Sequence, residues 1–208
     1  MNNRNWLKER VAVAAAVALV VGGIFASAGG SAVASPAGAV AEIRDAAGNL
    51  HGKIKFNPTD DGKVLVKVSL YGLAPGWHGF HVHSMGMCDP GSAFASASGH
   101  FNPTAATHGG HAGDMTPLLV NADGTANSRF ETDRFTVGGL SDADGSAVIV
   151  HAAPDNLGNV PAGTTAAPRY HSHTETDVNY TFGADNATKA TGDAGSRFGC
   201  GVVTATND

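Results

Sequence analysis

From residue 37 onward, apolar and polar positions alternate in short runs separated by turn-forming residues. Residues 37–44 alternate loosely and stop at Ala47-Gly48-Asn49. Residues 50–56 put Leu50, Gly52, Ile54 and Phe56 on one face. The turn Asn57-Pro58-Thr59-Asp60-Asp61-Gly62 follows, and then residues 64–71 alternate again. There Val64, Val66 and Val68 share a face, as a period of two requires. Further strands are predicted over residues 79–83, 118–121, 127–135, 147–151 and 199–203, with Asp123-Gly124 and Asp144-Gly145 marking turns. No stretch of this region shows an apolar period of 3.6 residues. The pattern predicts an all-β fold, one antiparallel sandwich or barrel. Two long loops interrupt it, residues 84–117 and 152–197, and loops of that length inside a domain are usually functional or disordered.

The first 34 residues follow another rule. Arg4, Lys8 and Arg10 precede an uncharged stretch from Val11 to Phe25, and small residues come next. That order is the one a secretory signal requires. Cleavage sites compete at Ala26-Ser27-Ala28 and Ala32-Val33-Ala34. Cleavage after Ala34 is the preferred reading, giving a signal over residues 1–34 and a domain over 35–208. An uncleaved membrane anchor is the alternative, although Gly22 and Gly23 break the apolar run. The expected location is outside the cytoplasm: extracellular, cell-envelope or periplasmic. No dedicated membrane partner is expected after cleavage.

Composition narrows the class further. The 28 glycines and 9 prolines suit a loop-rich fold, and a charged fraction of 15% argues against a disordered or coiled-coil chain. The net charge of −5 becomes −7 without residues 1–34, so nucleic-acid binding through a broad basic surface is not expected. Two cysteines in an exported chain, Cys88 and Cys200, read as one disulfide, with a pair of free thiols as the alternative.

Ten histidines are the unusual count, and eight of them lie in or beside the two long loops. His81 and His83 stand at i and i+2 on a strand, so both rings leave one face and can converge on an ion. His151 ends the apolar strand Ala147-Val148-Ile149-Val150. Three imidazoles from two strands suit copper. A second set, His100, His108, His111 and Asp114, offers three imidazoles and a carboxylate at spacings of 8, 3 and 3. That is the closed four-ligand set a structural zinc requires, and Asn, Pro and Gly between the ligands let the backbone wrap. A solvated edge pair and a solvated polar loop are the bland alternatives for the two clusters.

Taken together, these residues resemble the copper–zinc superoxide dismutase family. The likeness runs through Gly79-Phe80-His81-Val82-His83, Ser98-Gly99-His100-Phe101-Asn102-Pro103, His111-Ala112-Gly113-Asp114, Val150-His151 with Pro154-Asp155, and Thr191-Gly192-Asp193-Ala194-Gly195-Ser196-Arg197-Phe198-Gly199-Cys200-Gly201-Val202-Val203, in the family's order. The short interval from His83 to Cys88 is similar to the bacterial, exported branch. The resemblance implies a flattened Greek-key barrel or sandwich of about eight antiparallel strands. It implies one copper ion per subunit on His81, His83, His100 and His151, and one zinc ion on His100, His108, His111 and Asp114. It also implies Asp155 as the carboxylate that joins ligands of the two metals, Arg197 beside copper as the anion receptor, and a Cys88–Cys200 disulfide. The implied reaction is disproportionation of superoxide to dioxygen and hydrogen peroxide, with copper cycling between oxidation states and His100 bridging to zinc as an imidazolate and carrying a proton.

The sequence departs from the family pattern in places. The interval from His108 to His111 is short, which puts the zinc geometry in question. The second loop is long, and His171 and His173 in it could form an accessory copper-capturing pair or simply a solvated loop. Asn156, Thr188 and Lys189 fall where the family tunes charge near its channel. His78 precedes the ligand strand without an assigned role. Two other functions stay open, a non-enzymatic copper-binding protein on the same fold and a zinc hydrolase. The oligomeric state is open too, a homodimer included.

Overall fold

The computed structural model describes residues 38–160 and 186–206, and all of these belong to one compact unit. The expected signal segment and its cleavage sites, along with His171 and His173, lie outside the described residues. The strands are β1 (Gly38–Asp45), β2 (Leu50–Pro58), β3 (Val64–Leu70), β4 (Gly76–His78), β5 (Phe80–His83), β6 (Leu118–Val120), β7 (Ala126–Thr132), β8 (Ala147–His151), β9 (Arg197–Val202) and β10 (Thr204–Thr206). One six-residue helix, α1 (Asn186–Thr191), sits in the second loop.

Eight strands form one curled antiparallel sheet in the order β5-β8-β9-β1-β2-β3-β7, with β10 also paired to β1. Strands β4 and β6 make a separate two-stranded ribbon. The all-β expectation holds, and β4, β10 and α1 are additions to it. These three elements span only three to six residues, too short for any hydrophobic period to register.

The alternation in β3 is clean: Val64, Val66, Val68 and Leu70 are buried while Lys67 and Ser69 face solvent. On β2, Ile54 and Phe56 point inward, but Leu50 is partly exposed, because the β1–β2 register slips between Glu42 and Arg44. Phe80, Val82, Val148 and Val150 join these residues in one core. Strand β8 is buried along its whole length, since both of its faces are covered. Val148 and Val150 enter the main core, whereas Ala147 and Ile149 pack with Phe94, Ala97 and Cys200 beneath the first loop. That explains why residues 147–150 read as an unbroken apolar run.

This second layer positions the site. With Phe80 and Val82 turned inward, His81 and His83 must face the loop side, where Ile149 and Ala147 are their cross-strand partners. Strand β5 is also the edge of the sheet, and the first loop covers it. Phe101 N–H donates to the Val82 carbonyl and Val82 N–H to the Gly113 carbonyl, at 2.8 and 2.9 Å. Gly113 has to be glycine for this approach, since a Cβ there would lie 2.2 Å from the Val82 oxygen. A Cys88–Cys200 disulfide then fastens the same loop to β9, with Cα atoms 5.7 Å apart across 112 positions of sequence.

The main core carries the stability of the sheet, so truncating its largest fully buried side chain tests the fold directly. Phe56→Ala is expected to destabilise the protein by about 3–5 kcal/mol, read from denaturant unfolding with an unchanged m value.

Candidate metal centre

Strands β5, β8 and β9 present His81, His83, His151 and Arg197 on one face. The β8–β9 register is regular up to Val150 opposite Gly199 and then shifts, so that His151 pairs with Arg197. The bulge therefore brings a cation next to a histidine at the end of the sheet. The first loop contributes His100, whose backbone bridges to His83, and Asp114, whose backbone bridges to His81.

The result is a cluster of buried imidazoles. His81, His83, His100 and His151 each offer a donor atom within 4.8 Å of the others. Four ring nitrogens, His81 Nδ1, His83 Nε2, His100 Nε2 and His151 Nε2, are buried there without a hydrogen-bond partner. In three of these rings the other nitrogen is tied to an oxygen that can only accept. His81 Nε2 meets Asp155 Oδ2 at 2.5 Å, His83 Nδ1 meets the Ser98 carbonyl at 2.8 Å, and His151 Nδ1 meets the Gly195 carbonyl at 3.2 Å. Each N–H is consumed by that bond, so in a neutral ring the unpartnered nitrogen carries the lone pair and faces the cluster. Buried lone pairs aimed at one point, with no proton to share, fit a soft or borderline metal cation well.

The second set converges on Asp114. Its Oδ1 lies 2.8 Å from His100 Nδ1, 3.3 Å from His108 Nδ1 and 3.2 Å from His111 Nδ1. Its Oδ2 accepts the backbone N–H groups of Gly109 and His111 at 2.7 and 3.0 Å. His108 Nδ1 is another buried nitrogen without a hydrogen bond. Three imidazole nitrogens and one carboxylate oxygen form a closed set of zinc type. The convergence is looser than in the first set: His111 approaches Asp114 and His100, yet the group lying mutually within 4.8 Å is His81, His100, His108 and Asp114. His100 gives one nitrogen to each set, and its ring stacks on His81 with centroids 4.0 Å apart.

Asp155 joins the two sets. Its Oδ1 accepts from His108 Nε2 at 2.7 Å while Oδ2 holds His81, and its side chain is buried. The second loop comes close enough to seal this carboxylate because Gly192 has no side chain. Gly192 has a φ of +66°, and a Cβ there would lie 2.2 Å from His108 Nε2.

The electrostatics follow from burial and pairing. Burial, reinforced by the neighbouring rings, lowers the pKa of His83 well below its usual value and that of His151 to about 3. Burial also lowers His81 and takes His100 to about 4, against the opposing pull of Asp155 and Asp114 respectively. His108 goes the other way. Burial lowers it, but Asp114 and Asp155 on either side overcome that and raise its pKa to about 9. Burial raises both carboxyls, yet the His100 hydrogen bond and the charge of nearby His108 at Asp114, and hydrogen bonds from His108 and His81 at Asp155, hold them well below the usual carboxylate range. Arg197 is fixed by two carbonyls, donating to Phe94 at 2.5 Å and to Ser98 at 2.7 Å. The Ser98 oxygen thus serves Arg197 and His83 together.

Four contributors have no role assigned in the sequence reading. His78 is buried with Nδ1 2.7 Å from the His151 carbonyl and Nε2 2.8 Å from that of Ala74, so it braces the backbone of a cluster histidine. Arg134 reaches the Gly109 and His111 carbonyls. The Ser98 and Gly195 carbonyls are invisible to any motif, because backbone oxygens carry no residue signature. Lys189 lines an open cleft of about 340 Å³ with His100 and His111, and its carbonyl accepts from His108 N–H at 2.8 Å.

Comparison with known proteins agrees with this arrangement. The family described as copper/zinc superoxide dismutase (SODC) matches residues 50–203. The chain is 39% identical over 142 residues to a Cu-Zn superoxide dismutase of Mycolicibacterium paratuberculosis, covering 64% of this chain and 58% of that protein. It is 37% identical over 155 residues to one of Mycobacterium tuberculosis, covering 69% and 60%. The chain thus spans about three fifths of the length of these curated relatives. Among solved structures, a SOD-like protein from Bacillus subtilis superposes with a TM-score of 0.58 at 27% identity, over 78% of this chain and 96% of that one. The clock protein EA4 superposes with a TM-score of 0.60 over 83% and 96%, and at 24% identity it speaks for the fold alone. The family match runs through the same strands and loops that carry the histidines, and the chain belongs to the copper/zinc superoxide dismutase family.

Proposed function

We propose that this protein disproportionates superoxide: two superoxide anions and two protons give dioxygen and hydrogen peroxide. The observation that carries the reading is the set of buried imidazole nitrogens whose lone pairs meet with no proton between them. In this reading His81 Nδ1, His83 Nε2, His100 Nε2 and His151 Nε2 hold copper, and Nδ1 of His100, His108 and His111 with Asp114 Oδ1 hold zinc. When bound, copper supplies a one-electron couple, which zinc lacks, and zinc supplies a fixed positive charge.

The chain's own residues do the rest. With both nitrogens given to metals the His100 ring would keep no N–H and would be an imidazolate, able to take up a proton at Nε2 whenever that nitrogen is released. That proton goes to the peroxide product, and the second comes from water. Asp155 keeps His81 and His108 from turning, which fixes which nitrogen of each faces its metal. Arg197 receives the anion. With a net charge of −5 on the chain, attraction has to come from a local field, and a guanidinium held by two carbonyls beside His151 supplies one.

The same reading puts the working protein outside the cytoplasm, with residues 1–34 as a cleaved signal. The disulfide is in keeping with an oxidising compartment. Mass spectrometry of the exported protein is expected to give a first residue of Ser35. A start at Gly29 would move cleavage to the upstream site, and an intact Met1 terminus would replace the signal with an anchor.

The purified protein loaded with copper and zinc is expected to consume superoxide in a cyanide-sensitive reaction. His151→Ala should lose both copper and activity. Arg197→Gln should keep both metals while kcat/KM falls about tenfold or more. A protein that holds both metals and leaves superoxide untouched overturns the assignment.

The lowered pKa values of His100 and His151 set an acid limit for the metal-free fold. A histidine whose folded pKa lies below its unfolded value contributes stability that is present above about pH 6.5 and lost as pH falls toward the folded value. His108 has the opposite sign, and its contribution is lost only as pH rises toward about 9. The melting temperature of chelator-treated protein is therefore expected to fall steadily from pH 6.5 to 4.5. An unchanged value across that window contradicts buried neutral rings.

A further inference from the structure

The segment between His108 and His111 is the one place where the ligand spacing is short, and it is held from both sides. On one side its N–H groups, those of Gly109 and His111, point at Asp114 Oδ2. On the other side its carbonyls point at a single guanidinium. Arg134 Nη1 donates to the His111 oxygen at 3.0 Å and to the Gly109 oxygen at 3.2 Å, and Nη2 donates to the Gly109 oxygen at 3.3 Å. Arg134 arrives from outside the metal loops, two residues beyond the end of β7, so it ties the segment to the strand scaffold. Gly109 adopts a φ of +87° and packs against the Leu157 backbone, which leaves the segment little room to choose another path.

These contacts matter because His111 completes the second set, with its Nδ1 3.2 Å from both Asp114 Oδ1 and His100 Nδ1. Its ring is placed by the backbone of residue 111, and that backbone is fixed by the pull of Asp114 on one face and Arg134 on the other. A planar fork of donors matches two carbonyls at once, which a lysine ammonium on a flexible stem does not.

We propose that Arg134 is a positioning residue for the zinc set: it clamps the Gly109 and His111 carbonyls and so holds His111 Nδ1 toward Asp114 and His100. This rests on the zinc reading given above. Loss of a side chain that orients a metal ligand typically costs 10- to 100-fold in metal affinity.

The test is competition for zinc between a chromogenic chelator and the full-length protein, comparing the parent chain with Arg134→Gln, Arg134→Lys and His108→Ala. Arg134→Gln is expected to bind zinc about 10- to 100-fold more weakly. Its copper affinity should stay within about twofold and its metal-free melting temperature within about 2 °C, as for a surface substitution. Arg134→Lys should lie between Gln and the parent. With cobalt in place of zinc, the visible absorption of Arg134→Gln should shift from that of the parent, reporting a changed ligand field.

Zinc affinity of Arg134→Gln within twofold of the parent overturns the clamp, and so does equal loss of copper, zinc and folding stability. If the parent binds no zinc, or His108→Ala binds it as tightly as the parent does, the zinc reading itself fails and the clamp with it. The two failures are thereby told apart.

Discussion

An imidazole has two nitrogens, and the metal centre depends on which of them the protein occupies first. His81 is tied at Nε2 by Asp155, His83 at Nδ1 by Ser98, His151 at Nδ1 by Gly195, and His108 at Nε2 by Asp155. Each tie goes to an acceptor, so in a neutral ring the tautomer is settled and the opposite lone pair faces inward. Burial then keeps His100 and His151 neutral at ordinary pH, the protonation state that metal binding needs, whereas His108, raised to about 9, has a proton to give up when a metal binds. The sheet, the loops and the disulfide can be understood as the means of bringing those acceptors into place.

The strand framework was largely legible, because alternation in residues 64–70 and the turn glycines are local signals. The unbroken run of residues 147–150 was legible as a strand but not as one covered on both faces. That depends on Phe94, Ala97 and Cys200 arriving from distant sequence. The clustering of histidines was visible from i, i+2 spacing and from their gathering in two loops. What no spacing contains is the identity of the anchoring oxygens. Ser98 and Gly195 act through their carbonyls, so a motif reader sees only a serine and a glycine. Gly192 lies within a recognisable stretch, but its reason for being glycine appears only when His108 is found against it. Arg134 follows an ordinary exposed strand and looks like any surface arginine until the fold lays it beside residues 109–111.

Loops and sheet also divide the work. The sheet side carries His81, His83, His151 and Arg197, on elements whose register is fixed by the main core. The loop side carries His100, His108, His111 and Asp114, on backbone that lacks regular structure and so requires its own fasteners. The disulfide serves that purpose at one end of the first loop, and the hydrogen bonds of residues 101 and 113 to Val82 serve it at the other. Asp155 crosses between the two sides, holding a strand histidine with one oxygen and a loop histidine with the other.

The register shift at the end of β8 has a consequence for how the family's chemistry can drift. Strand β9 offers Arg197 and Phe198 in succession, and the shift alone decides that the arginine, not the phenylalanine, stands opposite His151. Phe198 instead packs against the core and against the edge of His51. The polarity of the pocket floor is thus encoded by counting as much as by residue type. An insertion of one residue between Phe198 and Gly199, with the shift retained, would set Phe198 opposite His151 and turn a floor that attracts anions into a greasy one while leaving every metal-binding side chain in the sequence untouched.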